Sequence, residues 1–342
     1  MVSRAYGFPI AVVVLMVVES VPASAHHSRA AFDTTVEVTI EGVVKDVLWA
    51  NPHVYLTLEI EGPAGRPVAQ EIEVGPLSTL RPLGLSPEVL AAGERVTVRA
   101  NPNRAGPGHS VVGLDVTTTD GTTYPLHVFG RARPAPVARK ANSLAGSWVP
   151  QTSGLQALVS DAPTWPLTDV GRRGVEDVAT AQASRAECSP WPAPLLMALP
   201  MLRTIDVAAD AVTLRFDWMN GLRTVHMNLS EHPLGIEPSP QGHSIGRWEG
   251  ATLVIDTVAF TPHRDGAGFG IPSGTNKRLT ERLTLGADSG TLTYEFTVED
   301  RLSLTAPVSR NMQWTYRPDL EPTGQQCDAE IATRFLREQS AR

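Results

Sequence analysis

Short segments in which apolar and polar residues alternate recur along most of this chain, and residues 291–298 show the pattern most clearly. A period of two is typical of β-strands that bury one face and expose the other. The 342 residues include 28 glycines and 28 prolines, which favour short elements joined by many turns. The sequence therefore predicts a mainly β protein, and at this length two domains are the natural division.

The first domain is predicted over residues 26–129, where five alternating segments occur. A stretch that is broken by prolines, residues 77–90, lies between the third and the fourth of them. The segments are residues 36–44, 54–60, 68–74, 95–99 and 111–117. Five strands with a helical interruption at this place are typical of a small OB-like barrel. A β-sandwich is the alternative, because periodicity does not separate the two folds.

The second domain is predicted over residues 146–342, after a linker rich in Pro, Ala and Arg at residues 130–145. Six alternating segments indicate an antiparallel β-barrel or a strongly curved sheet. They are residues 212–218, 224–229, 252–257, 279–283, 291–298 and 313–316. Only the tail, residues 329–338, has a helical pattern. The Gly-x-Trp tripeptides at residues 146–148 and 246–248 resemble the one that opens lipocalin- and avidin-like barrels, so a lipocalin-like form is one expectation.

Residues 1–25 have the pattern of a secretory signal peptide. Arg4 precedes an apolar run at residues 8–18, and Ala23, Ser24 and Ala25 supply the small residues of a cleavage site. An apolar run of about ten residues is too short for a helix that crosses a bilayer of about 30 Å. We therefore expect a periplasmic or secreted chain with no membrane span after cleavage. An uncleaved membrane anchor is the alternative.

Cys188 and Cys327 are the two cysteines of the chain. In an oxidising compartment a single pair is expected to be joined, whereas in the cytosol the two thiols would be reduced. Neither cysteine lies in a Cys-x-x-Cys motif or beside a histidine, which argues against a catalytic thiol. The sequence therefore predicts a disulfide that ties the end of the chain to the start of the second domain.

Cleavage after Ala25 would make His26 the N-terminal residue and so place an α-amine and an imidazole on one residue. Together these groups chelate Cu(II) in the plane that it prefers, and Zn is the other candidate metal. The predicted further ligands are His27, His53 and His109. The alternative is that the paired histidines are a solvated chain end.

Six polar residues of the second domain are the candidates for catalysis. The histidines would act as bases, the carboxylates would orient them, and the arginines would stabilise developing negative charge. These residues are Arg223, His226, His243, Arg247, Glu249 and Asp256. Strand alternation predicts that Arg223 and His226 face opposite sides. The alternative is structural, because the carboxylates can simply pair with nearby arginines such as Arg278.

The first domain resembles a family of small exported bacterial proteins of unknown function. The resemblance rests on His-His-Ser at residues 26–28, on Trp-x-Asn-Pro-His at residues 49–53, and on Gly-x-x-Val-Thr-Val at residues 93–98. It departs at residues 70–73, where the family carries a nearby tryptophan. The resemblance implies export and brings no reaction with it.

The second domain resembles another exported bacterial family of unknown function. The motif Gly-His-Ser-Ile-Gly-Arg-Trp-Glu-Gly at residues 242–250 carries this resemblance, together with Leu-Val-Ile-Asp-Thr at residues 253–257. Ala251 stands where that family carries Asp. The motif lacks the Gly-x-Ser-x-Gly order of a serine hydrolase, and the chain contains no phosphate-binding or dinucleotide fingerprint.

Three functions are compatible with these patterns. The first is an exported two-domain protein that binds a small molecule, a metal ion, or both. The second is a lyase, isomerase or hydrolase that acts on a small substrate through the polar residues of the second domain. The third is an envelope scaffold. The formal net charge of −7 argues against a nucleic-acid partner.

Overall fold

The structure is a computed structural model that describes residues 32–127, 139–177, 188–322, 324 and 327–332. It is mainly β and contains a five-stranded barrel in the N-terminal region and a nine-stranded barrel in the C-terminal region. The predicted fold class is confirmed. The predicted signal peptide, His26, His27 and most of the predicted linker lie outside the described residues.

The first barrel follows the predicted order of elements. Its strands are β1 (Val38–Leu48), β2 (Val54–Glu61), β3 (Pro67–Val74), β4 (Arg95–Asn101), β5 (Val111–Thr118) and β6 (Thr123–Pro125). The sheet order is β3-β2-β1-β4-β5-β6, and a parallel pairing between β3 and β5 closes a ring of five strands. The predicted interruption is α1 (Leu77–Leu80) with a 3-10 turn at Arg81–Leu83. Alternate apolar residues such as Leu56, Ile72 and Val98 fill the interior.

The second barrel contains nine strands and carries an added hairpin. The strands are β7 (Gly146–Pro150), β8 (Arg203–Val207), β9 (Ala211–Phe216), β10 (Leu222–His226), β11 (His243–Glu249), β12 (Thr252–Val258), β13 (His263–Gly268), β14 (Ile271–Ser273), β15 (Arg278–Leu285), β16 (Thr291–Glu299) and β17 (Val308–Tyr316). The closed order is β10-β11-β12-β15-β16-β17-β7-β8-β9, while β13 and β14 pair only with each other. Neighbouring strands are antiparallel except β10 and β11, because residues 227–242 carry the chain back to the end of the barrel where β10 began.

The expectation that only the tail is helical is wrong. Two helices, α2 (Thr152–Asp161) and α3 (Asp169–Glu176), follow β7, and two more are α4 (Leu195–Ala198) and α5 (Ala329–Ala332). These helices are short, so their patterns are weak. The start of α3 is fixed by the hydroxyl of Thr168, which accepts a hydrogen bond from the backbone N–H of Gly171.

The Pro-rich segment at residues 188–202 packs into the second barrel. Every side chain of α4 is buried. Arg203 donates hydrogen bonds to backbone carbonyls of this segment, and the Nζ of Lys277 donates to the carbonyl of Ala193. The predicted disulfide between Cys188 and Cys327 is confirmed, and it fixes one end of the segment. The backbone of Cys327 also pairs with Asn51 of the first barrel.

Candidate functional site

Three histidines, an aspartate and an arginine meet on the outer face of the second barrel. Below they are called the histidine cluster: His226, His232, His243, Asp256 and Arg278. His226 ends β10, His243 begins β11, Asp256 lies on β12 and Arg278 begins β15. His232 comes from the loop between β10 and β11. The inward residues of the same strands, such as Val225 and Ile255, are buried in the barrel core.

The histidine cluster is held by a chain of polar contacts. The Nε2 of His232 lies 3.4 Å from Oδ2 of Asp256, and its Nδ1 lies 2.9 Å from Nδ1 of His243. The imidazoles of His243 and His226 stack with centroids 4.9 Å apart and planes 17° apart. On the far side, Nε and Nη2 of Arg278 donate to the two oxygens of Asp256 at 2.8 and 2.6 Å.

These contacts determine where the protons of two neutral rings lie. A carboxylate accepts only, so Nε2 of His232 carries the proton that it donates to Asp256. The Nδ1 of His232 is then an acceptor, and the proton of the second contact belongs to Nδ1 of His243. This leaves Nε2 of His243 with an unshared lone pair. Within the described part of the chain, that nitrogen has no hydrogen-bond partner and is not sealed from solvent.

The electrostatics favour a neutral ring at His243 and an ionised Asp256. Burial, followed by the charges of His226 and His232, lowers the pKa of His243 below its ordinary value of 6.5. Burial raises the pKa of Asp256, but the hydrogen bonds and charge of Arg278 outweigh it, and the net shift is downward. Near neutral pH the cluster therefore offers a neutral base beside a compensated ion pair.

The six predicted catalytic residues divide among three places. His226, His243 and Asp256 lie in the histidine cluster. Arg223 lies on the side opposite to His226, as alternation predicted, and this side is the barrel interior, where it pairs with Glu281. The remaining two, Arg247 and Glu249, form an exposed ion-pair group with Arg282 at the far end of β11. Six residues of extended strand separate Glu249 from His243, which is about 20 Å.

Two cluster members were not among the predicted catalytic residues. His232 comes from a loop without periodicity, and nothing in the sequence indicates which strand a loop side chain approaches. Arg278 was considered only as a structural partner for a carboxylate. Its position one residue before the alternating segment 279–283 is the signal that could have placed it beside β12, since neighbouring strands pair along their whole length.

A second polar group lies inside the barrel, on the other face of the same strands. The guanidinium of Arg223 forms a two-pronged pair with Glu281 and also donates to Ser244 and Thr257. Tyr294 donates its hydroxyl proton to Oε1 of Glu281 at 2.8 Å. Burial alone would lower the pKa of Arg223, but the charge of Glu281 raises it above its ordinary value. All five side chains are buried, so this network is structural.

The predicted metal ligands of the first barrel do not lie together. The Nδ1 of His53 lies 3.3 Å from Oε1 of Glu73, near the end of β3. The carbonyl of His109 accepts a hydrogen bond from Gln70, near the start of the same strand. Three residues of strand separate Gln70 from Glu73, which is about 10 Å. Across the described ranges, no three or more His, Cys, Asp or Glu residues are arranged to hold a metal ion.

Comparison with known proteins finds a family similarity in the N-terminal part of the chain. Residues 13–123 match a family described as a family of unknown function (DUF6152). This is consistent with the predicted resemblance of the N-terminal domain to a family of unknown function. The chain matches no curated protein. Among the residues that the structure describes, no helix has the length and apolar character needed to cross a membrane.

Proposed function

We propose that this chain is an exported protein whose second barrel binds a small polar organic molecule at the histidine cluster. One observation carries the proposal: the contacts from Asp256 through His232 to His243 leave Nε2 of His243 as an acceptor at a half-buried surface. The signal-peptide pattern supports export. The disulfide supports it as well, because disulfides persist mainly in oxidising compartments.

The charges of the cluster indicate the class of ligand. Asp256 is balanced by Arg278, so the site has no strong net charge near neutral pH and would recognise its ligand mainly through hydrogen bonds. The Nε2 of His243 would accept from a hydroxyl or N–H group. Arg278 uses Nε and Nη2 for Asp256, so its Nη1 would donate to a carbonyl or carboxylate. A small molecule that carries both kinds of group, such as a hydroxy acid, suits this arrangement.

Catalysis is the second candidate, and the order of the contacts favours it. A histidine that is oriented by a second histidine and a carboxylate is a typical arrangement for a general base. The Nε2 of His243 would take a proton from the substrate, and the His232–Asp256 pair would stabilise the imidazolium. A lyase, isomerase or hydrolase reaction on a small substrate would use such a base. Glu249 and Arg247 have no part in this scheme because they lie at the other end of β11.

Binding can be tested on protein purified from the compartment to which it is exported. Native mass spectrometry would identify molecules that co-purify, and calorimetry would measure the affinity of each one. We expect His243→Gln to weaken binding of the identified molecule by about tenfold or more, since it removes an oriented acceptor. His109→Gln, in the first barrel, is the matched control and should bind as the wild type does.

The same material separates the two candidates. Conversion of the bound molecule by the wild type, abolished in His243→Gln, would favour the enzyme. Binding without conversion would favour the binding protein. If His243→Gln binds every identified molecule as tightly as the wild type, the histidine cluster is not the site.

A further inference from the structure

Arg203 is a buried cation that has no carboxylate partner within the described ranges of the chain. Its guanidinium, on β8, is 1% exposed and faces the interior of the second barrel. Its Nη1 donates to the carbonyls of Met197 at 2.7 Å and Leu196 at 3.5 Å, and its Nη2 donates to those of Leu199 and Met201. All four acceptors are neutral. Arg223 on the same barrel differs, because Glu281 balances its charge.

The positive charge of Arg203 persists at neutral pH. Burial lowers the pKa of Arg203 to about 9, which still leaves the guanidinium protonated at pH 7. Backbone carbonyls supply dipoles but no compensating charge. A buried ion without a counter-ion is unfavourable, and proteins ordinarily pair such groups. The interior of the barrel therefore has a deficit of negative charge at this point.

Two neighbouring N–H donors have no acceptor among the residues that the structure describes. They are the Nε of Arg203 and the Nε1 of Trp314, and both are buried. The guanidinium carbon lies 4.5 Å from the centroid of the Trp314 ring, so the two side chains are in contact. Trp148 in the same interior is different, because its indole N–H donates to the carbonyl of Leu144 at 2.9 Å. The N–H groups of Arg203 and Trp314 each require a hydrogen-bond acceptor.

From these observations we infer that the interior of the second barrel binds a small carboxylate anion between Nε of Arg203 and Nε1 of Trp314. The two oxygens of a carboxylate match two separate donors, and its charge balances the guanidinium. The rings of Trp314 and Phe216, over which the guanidinium lies, provide an apolar wall for the body of the ligand. A water molecule would satisfy the donors but would leave the charge uncompensated. This site is separate from the histidine cluster, which lies on the outer face.

The test uses the full exported chain labelled with ¹⁵N at its tryptophan side chains. Trp314→Phe keeps an aromatic ring beside Arg203 and removes the indole N–H donor. The indole signal that this variant lacks therefore belongs to Trp314. Sodium acetate, sodium benzoate and sodium chloride are then titrated at constant ionic strength. We expect the Trp314 signal to shift and saturate with a carboxylate while the Trp148 signal stays in place. We expect Trp314→Phe to weaken binding of the same carboxylate by about tenfold. The shift that the carboxylate causes in the thermal unfolding midpoint of each protein measures this.

Two results would overturn the inference. Saturation by chloride and by neither carboxylate would assign the site to a halide. A Trp314 signal that none of the three salts shifts would mean that water alone meets the donors. Because the readout is the indole of Trp314, failure here leaves the histidine cluster untouched, and His243→Gln should not change the titration.

Discussion

Burial and contact with two other imidazoles make the ring of His243 harder to protonate than that of an ordinary histidine. Burial and its two neighbours lower its pKa below 6.5 in the folded chain. Between that lowered pKa and 6.5 the unfolded chain binds a proton that the folded chain does not. The free energy of unfolding should therefore fall as the pH decreases from 7 through 6.5, and this contribution should level off below the folded pKa.

Urea denaturation at a series of pH values measures this dependence. His243→Gln should be less sensitive to pH than the wild type between pH 7 and the folded pKa of His243. Thr224→Ala, which changes an exposed residue of β10 and removes no titratable group, serves as the control and should keep the wild-type slope. An unchanged slope in His243→Gln would mean that the three rings do not interact electrostatically in the way that their geometry indicates.

The buried pair of Arg223 and Glu281 should matter far more for stability than the exposed pairs of Glu249. Glu281→Gln removes the charge that balances a fully buried guanidinium, and breaking such a pair typically costs about 3–5 kcal/mol in the free energy of unfolding. Glu249→Gln changes an exposed group and should leave the free energy of unfolding nearly unchanged. Chemical denaturation of the two variants gives the comparison. Equal effects would contradict the assignment of Arg223 and Glu281 to the interior.

At the scale of elements, the strands that the sequence predicts are those with a clear period of two. The segments that became β4 and β16 alternate cleanly, because one face packs into a core and the other is more exposed. The strands β6, β7, β8, β11, β13 and β14 were not predicted. In β11 the inward positions are Ser244 and Gly246, which are small because Arg223 and Val225 approach them. A strand whose inner face is small and polar shows no hydrophobic period.

The disulfide links two segments of the second barrel that are far apart in sequence. Cys188 precedes the buried segment of α4, and Cys327 precedes α5, with a sequence separation of 139 residues. In the chain-entropy model a loop of this size stabilises the folded state by about 5 kcal/mol, as an upper value. We expect the double variant Cys188→Ala/Cys327→Ala to lose several kcal/mol in urea unfolding. A non-reducing thiol titration of the wild type supplies the control and should find no reactive thiol.

At the scale of the whole molecule, the sequence predicted the two barrels better than the site. Alternation separated Arg223 from His226, and the structure places Arg223 inside the barrel and His226 on its outer face, which is why the predicted catalytic group divides. The meeting of His226 with His243 depends on the parallel pairing of β10 with β11, and the meeting of both with His232 depends on a loop. Neither contact leaves a periodic signal. Long-range pairing of strands is set by the closure of the barrel.

The copper or zinc site at His26 remains a prediction, and it depends on removal of residues 1–25. Cleavage creates the α-amine, whose pKa of about 7.7–8.0 makes loss of its proton to a metal ion easy near neutral pH. We expect the intact mass of exported protein to correspond to a chain that begins at His26.

The structure also limits the further ligand. The Nδ1 of His53 lies 3.3 Å from Oε1 of Glu73, so this imidazole already has a partner. Phe32 pairs with Asn103, whose amide donates to the carbonyl of Ser110, and His109 precedes Ser110 in the same loop. His109→Ala should therefore weaken Cu(II) binding of the exported chain, whereas His53→Ala should not, and metal analysis with calorimetry would measure both. Exported protein that keeps residues 1–25 and still binds Cu(II) equally well would rule out the terminal amine as a ligand.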